Sequence, residues 1–536
     1  MPRAFAVLLF AAFAGSAIAV YRPALAGPFL SDDFGYIAAN PYTASLAPGN
    51  VVRMLDPTGP ARLHTANYAP VHLLLTALER QIFANDVRGY HLVNVLCHAL
   101  ASCLLVALLL RAGLPRPVGV LAGAAFLLHP ANVEAVAWIS QLKTTASLAF
   151  ALAALLHFPA RPRAATACYA LGLLTKASAA AALPAAAAFA LARAGREPVP
   201  RAERRWLGLW LALGGLFAFA ELGAQRGAGE AGLPARGDLA ARAQAIFSIG
   251  ARYLAMAATG TGLSAFHEPE PGAGWLDPWF LLGAIAAIAL GARTLQALRA
   301  RRLEAGYWVF AAASFLPVSQ IVPFVNPLAD RYLYFLLPGL LGAALLCGRG
   351  LWQRVPLPGV AAPLLGLAAL ALLASFGAKS AGRARLWQSE MRLLLDAEAN
   401  YPRGGTAAYL EARRAAQRGD AEAAVRALRR AEERHAARFT VLLQDPGLAP
   451  VRDAPAFRQL VAEMAGRWIE RSRELGLETQ PELRLRAHAH GVRGESALAI
   501  QALERALALG GPLDAELRAD LAVARAEGGS AARPRE

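Results

Sequence analysis

Apolar runs of membrane-spanning or near-spanning length, separated by short arginine-bearing loops, make up the first 380 residues. After about residue 387 the pattern turns charged and amphipathic. Residues 4–20 form the first run. Further runs are read at about 91–110, 117–129, 143–158, 164–175, 178–193, 206–223, 277–292, 305–322, 330–347 and 357–377, eleven spans in all. The first follows Arg3 and has small residues near Ala17–Ala19, so it reads as a membrane anchor or a cleavable signal peptide. Between it and the second run lies a long mixed loop, about 21–90. In this loop Pro70–Phe83 carries His72, Glu79 and Arg80 among leucines and is expected to lie at the interface. The expected fold class is therefore all-α: a polytopic membrane protein with a C-terminal helical domain.

Loop charge orients the spans. With the N-terminus inside, the inner loops hold Arg111 and Arg116, Arg161 and Arg163, a group from Arg193 to Arg205, Arg293 to Arg302, and Arg349 with Arg354. Short outer loops are nearly free of arginine, as the positive-inside rule requires. The count closes if 224–274 stays outside, its apolar part near 239–262 lying along or re-entering the membrane. The C-terminal part is then outside too. There, 405–433 reads as helix, Gly-Asp turn, helix, and about 482–508 repeats the pattern. Such pairs bury a face only by stacking, as tetratricopeptide-like repeats do, with a plain helical bundle as the alternative. The expected domains are 1–380 in the membrane, 387–527 exported, and a disordered tail from Gly528.

Composition agrees: 56% of residues are hydrophobic and 17% charged, outside the range of ordinary soluble domains. The formal charge of +16 comes from inner loops and the Arg-rich C-terminal part, and no zinc-finger spacing or aromatic-plus-basic platform points to nucleic acid. Cys97, Cys103, Cys168 and Cys347 all fall in apolar stretches and read as small hydrophobic residues. Of the 54 basic residues only Lys143, Lys176 and Lys379 are lysines, which hints that an ammonium is needed at those positions.

The outer ends of the spans collect polar groups. Asp32 and Asp33 open the first loop in SDDFGYIAANP. His129, Asn132 and Glu134 follow the third span in HPANVEAVAWIS, with Gln141 and Lys143 just beyond. Lys176 ends the fifth span, and Asp330 and Arg331 begin the tenth. Singly, each has a plain reading: a helix-end histidine, a solvated glutamate, a snorkelling lysine, a structural Asp–Arg pair. Clustered on one side of a membrane they suit sugar transfer from an anionic lipid phosphate. A carboxylate deprotonates the acceptor hydroxyl, and Lys and Arg hold the departing phosphate. A transporter calls for acids near the midplane, which are scarce here. A non-catalytic assembly protein working through its repeats is the other alternative.

The ordered blocks SDDFGYIAANP, NYAPVHLLLTALERQIF, GYHLVNVLCHALAS, FLLHPANVEAVAWIS, LLTKAS and NPLADRYLYFLLPG resemble one family. It is the bacterial relatives of the transmembrane and tetratricopeptide-repeat protein O-mannosyltransferases, membrane glycosyltransferases of the GT-C fold. The resemblance implies a polyprenyl-phosphate-linked sugar (mannose is one candidate) as donor and a hydroxyl acceptor, protein Ser/Thr or glycan, at the outer face of the bacterial inner membrane. It implies inverting displacement with Asp32 or Asp33 as base, Asp32 first, and Lys176 and Arg331 on the donor phosphate. Asp330, His129, Glu134 and Lys143 complete the expected substrate-binding set. No cofactor is expected to be obligatory, although the acidic pair plus Asp330 could hold a metal. The chain departs from the family at Ala69, where Arg is frequent, at Ala177, where Glu is frequent, and in lacking the usual Arg near Gln141.

Overall fold

A computed structural model of the chain describes residues 2–225, 239–270, 274–321, 326–352 and 361–531, and these form helices and turns with no strand. In chain order the first part contains α1 (Arg3–Tyr21), the short α2 (Pro48–Leu55) and α3 (Pro60–Thr65), α4 (Pro70–Phe83), α5 (Val87–Arg111), α6 (Arg116–Leu128) and α7 (Val133–Ala137). It continues with α8 (Leu142–His157), α9 (Pro162–Thr175), α10 (Ala182–Ala194), α11 (Arg201–Gln225), α12 (Leu239–Thr259), α13 (Pro278–Arg299), α14 (Glu304–Phe315), α15 (Leu333–Trp352) and α16 (Ala361–Ala384). Eight stretches among the described residues are long and apolar enough to cross a membrane, or nine if α6 and the segment Pro130–Ala137, bent by 49°, count as one. The set is that of a polytopic helical membrane protein. Eleven spans were expected. The difference lies in α9 with 14 residues and α14 with 12, both well short of the roughly 20 needed to span alone, and in the broken pair.

Local sequence explains the ends. Proline stands in the first turn of α4, α6, α9 and α13, where its missing N–H costs nothing and its fixed φ suits helix entry. Asp277 caps α13 by accepting from the N–H groups of Trp279 and Phe280. At His129–Pro130 proline cannot donate to the helical ladder, so α6 stops at Leu128 and the chain turns. The freed carbonyl of Phe126 accepts from Asn132 Nδ2 at 2.6 Å, and His129 Nδ1 accepts from Ala131 N at 3.2 Å. That break turns Glu134, on α7, into the protein, where it is buried.

The large core is shared by α1, α5, α6, α8, α9, α10, α14 and α15. In lipid, helices are held by close packing and interhelical hydrogen bonds more than by the hydrophobic effect. The contact of α14 with α15 shows this: a Cβ at Gly342 would stand 2.2 Å from the Tyr307 ring. Between α8 and α9 Ser147 Oγ donates to Gly172 O at 3.0 Å. The apolar part near 239–262, expected to lie along the membrane or re-enter it, is α12, which packs against α13. The segment Pro70–Phe83, expected at the interface, is α4 and is not among the candidate spans.

The C-terminal part comprises α17 (Glu390–Asn400), α18 (Gly405–Gln417), α19 (Ala421–Glu433), α20 (Phe439–Gln444), α21 (Pro455–Glu474), α22 (Gln480–Val492), α23 (Ser496–Ala508) and α24 (Asp514–Ala531). The two expected hairpins are α18–α19 and α22–α23, turning at Gly419 and Gly494, both at φ 74°, a left-handed conformation that glycine adopts without strain. Asp420 caps α19 through Ala423 N at 2.9 Å. Small residues on α18 and α19 (Ala412, Ala415, Ala424, Ala427) form one core with α21, and α22, α23 and α24 form the next. The helix α24 runs to Ala531 through the start of the expected disordered tail; residues 532–536 of that tail lie outside the described residues.

Candidate active site

The first loop folds over the end of the bundle and places the acidic pair. Ser31 has φ 49°, a costly backbone for a non-glycine residue and one that often marks a functional turn. Immediately after it the two aspartates diverge. Asp33 is buried: Oδ2 accepts from Leu30 N at 2.8 Å and Oδ1 from Ser140 N at 2.7 Å. Burial pushes the Asp33 carboxyl up to about 7 despite these donors, and the neighbouring Asp32 adds to the rise. Asp32 is exposed. Its charge falls within electrostatic range of Arg331 and Tyr332. Asp33 thus pins the loop to the α7–α8 connection, while Asp32 stays at the surface.

The loop is fixed from other sides as well. Trp138 Nε1 donates to Leu30 O at 3.2 Å, and Asn94 Nδ2 donates to the carbonyls of Trp138 and Ile139 at 3.0 and 3.1 Å. Arg80 Nη1, from α4, donates to Ile37 O at 2.9 Å and Asn40 O at 3.1 Å. A small core of Tyr36, Ile37, Met54, Leu73 and Tyr90 lies under it. The acidic motif is therefore held on rigid elements.

Basic groups gather opposite. Glu134 Oε2 accepts from the backbone N–H of Arg331 at 2.7 Å, and its other oxygen pairs with the Arg331 guanidinium. That guanidinium also lies over the rings of Trp138 and Tyr332, 5.5 and 4.9 Å from their centroids. Glu134 therefore orients Arg331. The Lys143 amino group stands 4.1 Å over the Tyr36 ring. Lys176 occupies an extended joint between α9 and the turn before α10, and its Nζ donates to Thr144 Oγ1 at 2.7 Å. Burial, with Lys143 and Arg331 nearby, pushes the Lys176 ammonium well down, and Glu134 acts the other way. Positive charge is crowded here, an arrangement that an arriving anion relieves.

Of the expected residues the structure brings together Asp32, Asp33, Glu134, Arg331, Lys143 and Lys176. The other two take further partners. His129 Nε2 lies 3.0 Å from Ala257 O and its ring meets Phe376 edge-on, so it braces the helix break. Asp330 is engaged by His267 Nε2 at 2.7 Å and Arg383 Nη2 at 3.0 Å. His267 Nδ1 lies 2.9 Å from the Tyr401 hydroxyl. Asp330 is thus held between the α12–α13 connection and α16, and His267 links it to the C-terminal helices. The acidic pair and Asp330, which together could have held a metal, do not form such a group: no set of three or more His, Cys, Asp or Glu able to hold a metal occurs among the described residues. Sequence reasoning passed over Tyr36, which sits inside the acidic motif, and treated His72 only as part of an interfacial helix. The spacing of His72, Thr76 and Glu79, one face of α4, was the available signal.

Comparison with known proteins adds one short stretch. The chain is 58% identical over 50 residues to the Protein O-mannosyl-transferase Tmtc1 of Drosophila melanogaster, a match covering 9% of this chain and 6% of that protein. No protein-family model matches, and neither does a solved structure. The match hints at a transferase related to that protein and leaves its donor, acceptor and mechanism open.

Proposed function

We propose that the protein is a membrane glycosyltransferase of GT-C type that moves a sugar from a polyprenyl phosphate to a hydroxyl acceptor, with Asp32 as the general base. The observation that carries this reading is the divergence of the acidic pair. Asp33 is consumed by two backbone N–H groups, while Asp32 is exposed within electrostatic range of Arg331. In the reaction the Asp32 carboxylate takes the proton of the acceptor hydroxyl as its oxygen attacks the sugar C1. The C1–O bond to phosphate breaks, and the electron pair leaves with the phosphate, whose growing charge Arg331, Lys143 and Lys176 stabilise. A single displacement inverts the anomeric centre.

The short similarity to an O-mannosyl-transferase supports mannose among the donors to test and protein Ser/Thr among the acceptors. The C-terminal helices, about 387–527, are proposed as an exported, tetratricopeptide-like unit that holds the acceptor at the outer face of the bacterial inner membrane. Support comes from their ties to the site. Trp387 stacks on Trp138 with centroids 5.6 Å apart, and Tyr401 meets His267. Transfer assays in lipid with Asp32→Asn and Asp33→Asn test the reading. Loss of a general base lowers the rate by about 10²- to 10⁴-fold, and that loss is expected at Asp32.

A further inference from the structure

The helix α4 carries a buried polar face that the reaction above does not use. His72, Thr76 and Glu79 recur one and two turns apart and are 0%, 0% and 5% exposed. Both ring nitrogens of His72, Thr76 Oγ1 and Glu79 Oε1 have no hydrogen-bond partner among the described residues. Buried polar groups are nearly always paired, and each left alone is costly. The upper end of this face lies among the basic residues. The His72 ring is 5.2 Å from the ring of Tyr36, whose face carries Lys143, and both Lys143 and Lys176 act on His72 electrostatically. Neither amino group belongs to an ion pair among the described residues, because Glu134 is engaged by Arg331.

We propose that His72 is a binding residue for a phosphate group, donating a ring N–H to an anion that enters between Lys143 and Lys176. The lysines are partly exposed and His72 is not, so an anion arriving from solvent meets them first and the imidazole last. Burial and the two lysines hold His72 well below the usual imidazole range. A neutral ring in this setting offers one N–H donor without adding to the crowded positive charge. The chemistry is shared by a lipid phosphate and by free phosphate. The proposal deepens the transfer reading, on which it rests only for the identity of the ligand.

The test measures binding of geranyl phosphate and of inorganic phosphate to the full chain in detergent, by ³¹P NMR and by the shift of the melting temperature. Wild type is compared with His72→Leu and His72→Asn. For His72→Leu the expected result is a melting temperature without ligand equal to or above that of wild type, because an unpaired buried group is gone. Affinity is expected to fall at least about tenfold, the usual size of a lost hydrogen bond to a charged group. His72→Asn, which restores an N–H donor, recovers part of it and serves as the reporter if the leucine variant does not fold. Preference for geranyl phosphate over inorganic phosphate assigns the site to a lipid donor, and equal affinity assigns it to a free anion. Affinity unchanged in both variants, or no phosphate binding by wild type, overturns the proposal. His72-dependent binding without sugar transfer from any donor upholds the site and removes the transferase reading.

Discussion

Asp32 and Asp33 are chemically identical neighbours with opposite surroundings, and every prediction at the scale of single residues follows from such contrasts. Asp33→Asn keeps the side chain's size but turns one of two acceptors into a donor facing a backbone N–H. We expect a stability loss of about 1–3 kcal/mol, measured as a lower melting temperature, alongside any loss of activity. Asp32→Asn touches no such contact and is expected to leave melting unchanged. Glu134→Gln weakens the hold on Arg331 and leaves the guanidinium partly buried, a change costing about 3–5 kcal/mol when a buried pair is broken. Glu79 gives a pH prediction. Burial pushes its carboxyl from 4.5 up to about 8. The sign is that of a raised group: its contribution is fully present below about 4.5 and is lost as pH rises through about 8. Melting curves across that window should fall for wild type and stay flatter for Glu79→Gln. Equal slopes would contradict this account of Glu79. At this scale the sequence was informative about residue type and blind to partner. The adjacent carboxylates and the scarce lysines stood out, yet only the fold reveals that Ser140, more than a hundred positions away, decides which aspartate is free.

Elements explain the partners that two of the expected site residues take. The HPAN break bends the chain by 49° between α6 and the following segment. It spends His129 on the turn and delivers Glu134 to Arg331. Replacing Pro130 by Ala restores a backbone donor and lets α6 continue. We expect transfer to fall sharply in Pro130→Ala while the protein still inserts, read by activity per folded molecule; full activity would show that the break does not position the site. Asp330 begins the turn before α15 and is tied to His267 and Arg383, the Asp330 and His267 side chains each 1% exposed. In Asp330→Asn the C-terminal helices should loosen from the bundle, seen as faster hydrogen exchange around Tyr401 and Thr406, with phosphate affinity retained. Loss of phosphate affinity with unchanged exchange would make Asp330 part of the phosphate site and contradict its role as a brace. Helix positions along the chain were legible because apolar periodicity and first-turn prolines are local signals. The same signals fail where a helix is short: α9 and α14 read as spans because their composition is apolar, although neither has the length. The long α21 between the two hairpins escaped a reading built on repeats.

For the whole molecule, the first loop, the broken helix and the C-terminal helices meet around one polar end of an apolar bundle. Leu63 of the first loop packs against the core of α22–α24, and Glu268 accepts from Thr406 N at 3.0 Å. The helices proposed to hold the acceptor and the loop that carries the proposed base Asp32 are therefore joined by ordered contacts. The sequence suggested this convergence through the one-sided placement of its polar residues. Their pairing had to come from three-dimensional packing, since the groups come from the first loop, α4, α7, α8, the α9–α10 joint and the turn before α15. The most direct measurement is release of polyprenyl phosphate by purified protein in lipid, supplied with short-chain polyprenyl-phosphate sugars including mannose, and comparing wild type with Asp32→Asn. The account predicts release by wild type and a fall of at least about 10²-fold in the variant, with unchanged melting. Undiminished release by Asp32→Asn would contradict the assignment of the base, and no release by wild type from any donor would contradict the transferase itself.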